Sequence, residues 1–386
     1  CERTAGAQGR LVVANNLLLE ANPNDGLRVL RIGQPVRARE VAHITTDVGG
    51  NFGSSTNGGG QLGLNGRTVL VPGGRGLCRD DDGVFFVDGV APGEFVEVDA
   101  PKKQKGARNA RLLQVLEPSP ERVTPDCAIV DRCGGCDWLH LSRAAQTAGK
   151  EAIVDDALVR VGKFAAADVA RFRRPLLVPP AGERRRRARF VADNDGRLTF
   201  SARHSHDRVV VDACPAVDDR IAALFARRFA RGATVAVAVD DTGVHVGDEA
   251  VVGEVTAGAF AAVSRASSFA QATRFGGAAI RDVVVDAVLA GSADLRGRRV
   301  LELFAGSGHL TLPLLAKGAI VDAVEGDAGA VGFLQQNVKL VPGAIAGVRR
   351  AFIDEGLEFP TAGVEVVVAD PPRTGIPGAG RLFARF

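Results

Sequence analysis

The clearest pattern of apolar and polar positions lies after residue 275, where apolar runs alternate with amphipathic segments. The helical segment "AAIRDVVVDAVLAG" (278–291) precedes the apolar run "RRVLELF" (298–304), and two further apolar runs are "AIVDAVEGD" (319–327) and "VEVVVADPPR" (364–373). Strands that alternate with helices are typical of a parallel sheet. The pattern therefore predicts an α/β domain at this end of the chain.

Short β-rich runs, broken by Gly, Pro and Asp, characterise the region from 63 to 118. They read "TVLVP", "GVFFVDGV" and "EFVEVDA", and such runs are typical of a small antiparallel barrel. The segment "SRAAQTAGKEAIVDDALVRVG" (142–162) has helical apolar spacing, and strand-like runs follow between 186 and 215. We therefore predict a β-barrel followed by a central α+β domain.

Residues 1–62 carry weak patterns and end in "DVGGNFGSSTNGGGQL", a composition typical of flexible chain. We interpret this region as a poorly ordered extension and assign it no function. The predicted fold class is multidomain α/β plus β. Its predicted divisions are the extension 1–62, the barrel 63–118, the central domain 119–265 and the C-terminal α/β domain 266–386.

Composition and charge narrow the class of protein. Apolar residues make up 46% and charged residues 24%, which indicates a soluble globular protein. No apolar run is long enough to span a bilayer, so no membrane partner is expected, and we predict a cytoplasmic monomer. The net charge of +3 is mild, but "PKKQKGARNAR" (101–111) and "ERRRRARF" (183–190) concentrate basic residues. Two such stretches favour a polyanion such as RNA as the partner.

A glycine turn after the run 298–304 indicates a nucleoside site. Gly306 and Gly308 permit a tight turn and a close approach of backbone to ligand. The third glycine of a dinucleotide fingerprint is absent, which argues against NAD. Glu325 ends the next strand, where a carboxylate can accept both ribose hydroxyls, and Asp370 ends a later one. Arg373 follows the paired prolines and suits a phosphate or a carbonyl group.

The cysteines indicate a metal centre. Three of the six lie within 127–136, and one more, Cys214, precedes a proline. In a reducing compartment grouped cysteines are more often metal ligands than disulfides. Both an iron–sulfur cluster and zinc remain open on this pattern. A C-x-x-C redox pair is less favoured because it leaves Cys127 and Cys214 unexplained.

In combination, these segments resemble one family, the RNA uracil-5-methyltransferases that carry a TRAM domain and an iron–sulfur cluster. The resemblance covers roughly residues 66–378. It lies in "GRGLCRDDDGVFFVDGVAPGEFVEV" (74–98), "SPERVTPDC" (119–127), "CGGCDWLHL" (133–141), "SHDRVVVDACP" (205–215), "SSFAQA" (267–272), "LELFAGSGHLTL" (301–312), "VEGD" (324–327) and "ADPPRTG" (369–375).

The resemblance implies a fold, two cofactors and their ligands. The barrel becomes an OB-like TRAM module that binds RNA, the central domain carries a [4Fe–4S] cluster, and the last domain is a Rossmann-like class I methyltransferase domain. The implied cluster ligands are Cys127, Cys133, Cys136 and Cys214. The implied S-adenosylmethionine site comprises Gln271, Phe304, Gly306, Gly308, His309, Glu325 and Asp370. His309 stands where the family often has Asn.

The implied activity is methylation of carbon 5 of a uridine in RNA, with 23S rRNA as the favoured substrate, through a cysteine adduct. No cysteine follows Cys214, so we expect the nucleophilic Cys and the basic Glu beyond Phe386, and an incomplete, inactive methyltransferase domain. The alternatives are a tRNA uracil-5-methyltransferase, a non-catalytic RNA-binding iron–sulfur protein, and a methyltransferase of DNA or protein. The TRAM-like segment and "DPPR" argue against the last.

Overall fold

A computed structural model describes residues 10–13, 52–54, 59–63, 70–71, 74–80, 83–99, 102–104, 107–254, 260–359, 362–372 and 374–385. The strands in these ranges are β1 Arg10–Val13, β2 Phe52–Ser54, β3 Gly59–Gly63, β4 Leu70–Val71, β5 Arg75–Asp80, β6 Gly83–Val87, β7 Phe95–Asp99, β8 Lys102–Gln104, β9 Ala107–Ala110, β10 Leu112–Glu117, β11 Arg187–Ala192, β12 Leu198–Ser201, β13 Arg208–Val210, β14 Thr234–Val239, β15 Val244–Val246, β16 Ala250–Glu254, β17 Ala261–Arg265, β18 Arg299–Leu303, β19 Ile320–Glu325, β20 Ile345–Arg350 and β21 Val364–Ala369. The α-helices are α1 Arg143–Asp156, α2 Ala166–Phe172, α3 Asp219–Ala222, α4 Arg274–Leu289, α5 Thr311–Ala316, α6 Ala328–Asn337 and α7 Ala379–Phe383.

The chain forms two compact units. One comprises 1–35, 179–196 and 216–386, and the other comprises 36–178 and 197–215. The predicted boundaries at 118/119 and 265/266 are not boundaries of these units, and the four-domain division stays a prediction.

The first unit contains a five-stranded parallel sheet in the order β1-β21-β18-β19-β20. The strands β18, β19 and β21 are almost continuously apolar because both faces of the sheet are covered. Val300 packs with α4 and α5 on one face, whereas its neighbour Leu301 packs with Val367 and Leu382 on the other. The predicted parallel α/β architecture is confirmed.

The first unit also contains β11, β14 and β15, which pair antiparallel, and the hairpin β16–β17. Phe190 of β11 is buried and meets Phe225 edge to face, with ring centroids 5.6 Å apart. This packing fixes which face of β11 points inward. Arg187 and Arg189 therefore lie together on the opposite face, because side chains alternate along a strand.

The second unit contains a β module whose two sheets share one core. The sheet orders are β10-β7-β3-β2 and β4-β5-β6-β9-β8. Cys78, Phe85 and Val87 from one sheet pack with Val96 and Val98 from the other. The predicted barrel region thus forms short strands around a single apolar core.

The strands β1 and β2 lie within residues 1–62, where the sequence predicted no regular element, and β3 (Gly59–Gly63) begins there. The strand β1 pairs in parallel with β21, and β2 and β3 extend the sheet of β7. The sequence did not predict these strands, because a short apolar run such as "RLVV" gains its structure from the sheet edge it joins. The extension 1–62 as a division of the chain stays a prediction. The rest of the range lies outside the described residues.

None of the helices in the described part of the chain is both long and apolar enough to cross a membrane.

Candidate functional site: a glycine turn at the sheet edge and a cysteine loop

The carboxyl ends of β18, β19 and β21 lie side by side, because Leu303 pairs with Val324 on one side and Ala369 on the other. The next residue of each strand or loop is Phe304, Glu325 and Asp370 respectively. Ligands of α/β sheets bind at this edge. Three residues that are far apart in sequence are thus brought together as predicted.

The turn after β18 has an unusual backbone. Phe304 has a φ of +62°, a backbone conformation that residues other than glycine rarely adopt and that often marks a functional site. Gly306 has a φ of +56°, and a Cβ atom placed there would meet nothing within 4 Å. The backbone at Gly306 therefore faces open space that a ligand can enter.

Gly308 serves packing rather than open access. Its φ is +102°, and a Cβ atom would approach the side chain of Leu334 on α6 to 2.9 Å. The sequence predicted the same two roles, a tight turn and close approach of a ligand, for both glycines. In the structure Gly308 lets α6 pack against the turn.

Glu325 ties the glycine turn to the following strand end. Its Oε2 accepts a hydrogen bond from the Gly306 N–H at 2.8 Å, and its Oε1 accepts one from the Asp327 N–H at 2.8 Å. A carboxylate has about four acceptor positions, so each oxygen retains capacity for a further donor. The arrangement fits a carboxylate that also receives two ribose hydroxyls.

Gly277 of α4 brings Gln271 and His309 together. A Cβ atom on Gly277 would lie 3.6 Å from both the Gln271 Cβ and the His309 Cε1. The His309 Nε2–H donates to the Gly277 carbonyl at 2.9 Å, which fixes the tautomer. Burial lowers the pKa of His309, so the ring stays neutral at ordinary pH. His309 thus joins the turn to α4.

Asn337, a residue that the sequence analysis missed, supports the same turn. Its side chain is buried, and its Nδ2 donates to the carbonyls of Val263 and Ser307 at 2.8 Å each. Its Oδ1 accepts from the Val263 N–H at 2.9 Å. An asparagine within a helix gives no sequence signal for this, because its partners lie 74 and 30 residues away.

Glu302 is a second missed residue. It lies within β18 and is 2% exposed, and its Oε2 accepts no hydrogen bond. Burial raises its pKa to about 8, the charges of Asp370 and Glu325 add to the rise, and the nearby Thr311 hydroxyl opposes it. Glu302 and Thr311 make no hydrogen bond of ordinary geometry. At neutral pH the edge of the sheet therefore holds a protonated carboxyl. The sequence signal that could have revealed Glu302 is an acidic residue inside an otherwise apolar strand.

The four predicted cluster cysteines all lie in the second unit. Cys127, Cys133 and Cys136 occupy one irregular loop, and Cys214 follows β13. All four carry thiols, and Cys133 is buried. The Gly135 N–H donates to the Cys133 Sγ at 3.4 Å, a contact of the kind that stabilises thiolates.

Arg203 holds this loop. Its guanidinium donates to the carbonyls of Val130 at 3.3 Å and Cys136 at 2.9 Å, and to the Asp137 carboxylate at 3.0 Å. Gly134 approaches the backbone at the end of β12 so closely that a Cβ atom would lie 3.2 Å from the Ser201 carbonyl oxygen and 3.1 Å from that of Ala202, the next residue. The loop is therefore clamped to the segment that leads towards Cys214.

The thiols are not gathered around a point. Among the described residues no three Cys, His, Asp or Glu side chains are grouped so as to hold a single metal ion. Four thiols in one unit, three of them in one loop, are donors of the kind that both a zinc ion and an iron–sulfur cluster use.

The basic stretch 183–190 is largely occupied within the protein. Arg184 pairs with Asp219, and Arg186 pairs with Asp241 at 3.4 Å. Arg187 is half-buried. Contact with RNA stays a prediction for this stretch, and Arg187 is committed to the protein itself. Arg373 lies outside the described residues.

Comparison with solved structures places the fold in a class. The tRNA (uracil-54, C5)-methyltransferase of Pyrococcus abyssi, in complex with S-adenosyl-L-homocysteine, matches with a TM-score of 0.57 at 18% identity, covering 81% of this chain and 87% of that one. The likeness shows the fold alone, a multidomain α/β fold with a Rossmann-like parallel sheet.

Sequence comparison defines the family. The 23S rRNA (uracil(1939)-C(5))-methyltransferase RlmD of Halomonas elongata is 31% identical over 373 residues, which cover 79% of this chain and 75% of the relative. The RlmD of Alkalilimnicola ehrlichii is 28% identical over 365 residues, with coverage of 80% and 81%. No family model matches the chain. The chain belongs to the RlmD-like family of RNA uracil-C5-methyltransferases.

Proposed function

We propose that this protein methylates carbon 5 of a uridine in 23S rRNA, the one that the names of its relatives number 1939. The observation that carries the proposal is the conjunction of family membership with an open glycine turn whose Gly306 N–H is held by Glu325. S-adenosylmethionine supplies the electrophilic methyl group when bound, and a cysteine adduct at carbon 6 of the uracil activates carbon 5. The residue that forms this adduct stays a prediction.

The proposed cofactor site uses the residues at the sheet edge. Glu325 binds the ribose hydroxyls, and Gly306 lets the backbone approach the ligand. As the family resemblance implies, the remaining contacts with S-adenosylmethionine come from Gln271, Phe304 and Asp370. Gly308 and His309 stabilise the turn through their contacts with α6 and α4, respectively. The support is that the Gly306 backbone faces open space while its N–H donates to the Glu325 carboxylate at 2.8 Å.

The proposed role of the second unit is RNA binding. Its β module would act as the TRAM barrel, and the thiols of Cys127, Cys133, Cys136 and Cys214 would hold a [4Fe–4S] cluster. The cluster would tie the 127–136 loop, which Arg203 already contacts, to the segment after β13. RNA contact through phosphates predicts steep salt dependence. A ribosomal substrate also agrees with the expected cytoplasmic location.

Calorimetry with S-adenosylmethionine tests the site. Glu325→Gln removes a charged acceptor, and because a hydrogen bond to a charged group contributes about 1.5–3 kcal/mol, affinity should fall roughly 10–100-fold. Glu358→Gln changes an exposed glutamate and serves as the matched control. Equal affinity of Glu325→Gln and the wild type would place the cofactor elsewhere.

Methyl transfer to purified RNA tests the substrate. Labelled S-adenosylmethionine is offered with unmodified 23S rRNA and, separately, with unmodified tRNA, using the complete gene product. Label in carbon 5 of a 23S rRNA uridine supports the proposal. Label in tRNA alone would favour the tRNA alternative, and label in neither would favour a non-catalytic RNA-binding protein.

A further inference from the structure

Four consecutive carbonyl groups in the turn after β17, those of residues 265–268, are held by two arginines. The Arg187 Nη1 donates to the carbonyls of Arg265 and Ser268 at 3.0 Å each, and more distantly to the carbonyl between them at 266. Its Nη2 donates to the Ser264 Oγ at 3.1 Å. One guanidinium therefore organises most of the turn.

Arg189 completes the set. Its Nη2 donates to the Ser267 carbonyl at 3.2 Å. The alternation along β11 brings both arginines to the same face. Burial lowers the pKa of Arg187, and the hydrogen bonds found for it in the described residues go to neutral oxygens. Burying a guanidinium against neutral oxygens costs free energy. The hydrogen bonds that Arg187 makes to this turn therefore serve to fix its backbone.

The same stretch also fixes the end of the segment. The Arg186 N–H donates to the Ala272 carbonyl at 2.7 Å, and the Glu183 carboxylate accepts from the Phe275 N–H at 2.9 Å. The segment between these two anchors and Arg187 contains Gln271, which packs against Gly277. Residues 183–189 thus hold the segment both before and after Gln271.

We propose that Arg187 is a positioning residue for the methyl donor: it fixes the turn 264–268 so that Gln271 is held beside the glycine turn. The inference rests on the proposed function, in which Gln271 contacts S-adenosylmethionine. A ligand that needs one arrangement of a loop binds more weakly in proportion to the fraction of molecules that lack it. If release of the turn leaves about a tenth of the molecules competent, the dissociation constant rises about tenfold.

A double-mutant cycle on cofactor affinity tests the inference. Arg187→Gln, Gln271→Ala and the double variant are compared with the wild type by calorimetry with S-adenosylmethionine. Arg228→Gln is the matched control, because that guanidinium also binds carbonyls, those of residues 226 and 227, but away from this turn. Amide hydrogen exchange of residues 264–277 separates local release from global loss of stability.

We expect Arg187→Gln to weaken cofactor binding about tenfold, to have little further effect once Gln271 is Ala, and to raise exchange only within 264–277. Arg187→Lys should recover only part of the loss. The lysine ammonium can still donate to a carbonyl of the turn, but it cannot span all the carbonyls that the guanidinium holds. Should Arg187→Gln fail to fold, Arg189→Gln, which removes one exposed bond, gives the same comparison.

Independent losses in the double variant would overturn the inference and leave the cofactor site standing. Unchanged affinity in Gln271→Ala would overturn both. A loss of RNA binding in Arg187→Gln with normal cofactor affinity would show that this arginine serves phosphate, and would also overturn the inference.

Discussion

Glu302→Gln is expected to remove a loss of stability that the wild-type protein undergoes as the pH rises. The Glu302 carboxyl is fully buried, and its pKa in the folded protein is about 8, against an ordinary value of 4.5. Between these values the folded state holds a proton that the unfolded state has released. The free energy of unfolding therefore falls with rising pH across this window, and the fall ends above about pH 8.

The magnitude follows from the two pKa values. One pKa unit corresponds to about 1.4 kcal/mol, so the contribution of Glu302 falls by ~1.4 kcal/mol per pH unit and by ~5 kcal/mol over the whole window. The glutamine amide keeps the volume and stays neutral at every pH. The variant should lack this slope, so its free energy of unfolding relative to the wild type should rise from pH 5 to pH 8.

Urea unfolding followed by circular dichroism, at several pH values, measures the difference. Glu365→Gln, which changes an exposed glutamate of β21, should keep the slope of the wild type. Parallel pH profiles of the wild type and Glu302→Gln would refute the reasoning, because they would mean that Glu302 is ionised in the folded protein across this range.

Three further substitutions test other parts of the structure. Gly308→Ala should destabilise the protein by ~1–3 kcal/mol in urea unfolding, since the new methyl group meets α6 at a positive φ. Glu94→Ala should cost ~3–5 kcal/mol, because Glu94 is buried and pairs with Arg122 at 2.8 Å. Cys214→Ser should lower the iron and sulfide content of anaerobically purified protein, whereas Cys78→Ala should not.

Each of these three predictions has a control variant or an outcome that would contradict it. Gly297→Ala has a similar φ but open space around it, so equal losses at both glycines would remove the packing argument. Asp294→Ala breaks an exposed pair and should cost at most ~1 kcal/mol; an equal cost for Glu94→Ala would contradict the buried-pair argument. Stoichiometric zinc without sulfide would replace the cluster by a zinc site.

The parts of the site that follow a strand were predictable from the sequence. Apolar runs ending at Phe304, Glu325 and Asp370 predict parallel strands, and parallel strands place their carboxyl ends at one edge. The glycine turn was predictable for the same reason. The distinct role of Gly308 was not, because its neighbour Leu334 comes from another helix.

The supports of the site were not predictable, since they depend on pairs distant in sequence. Arg187 lies 78 and 81 residues from two of the carbonyls it holds, and a run of arginines reads as a surface for polyanions. Asn337 and Arg203 give no local signal either. The strand β1 gains its partner only when the sheet edge exists.

The most direct measurement of the central claim is the 5-methyluridine content of ribosomal RNA from cells that lack the gene. We expect 23S rRNA from these cells to lose one 5-methyluridine by mass spectrometry of nuclease fragments. The wild-type gene should restore it, and a gene carrying Glu325→Gln should restore it poorly. Full 5-methyluridine in 23S rRNA of the deletion strain would contradict the account.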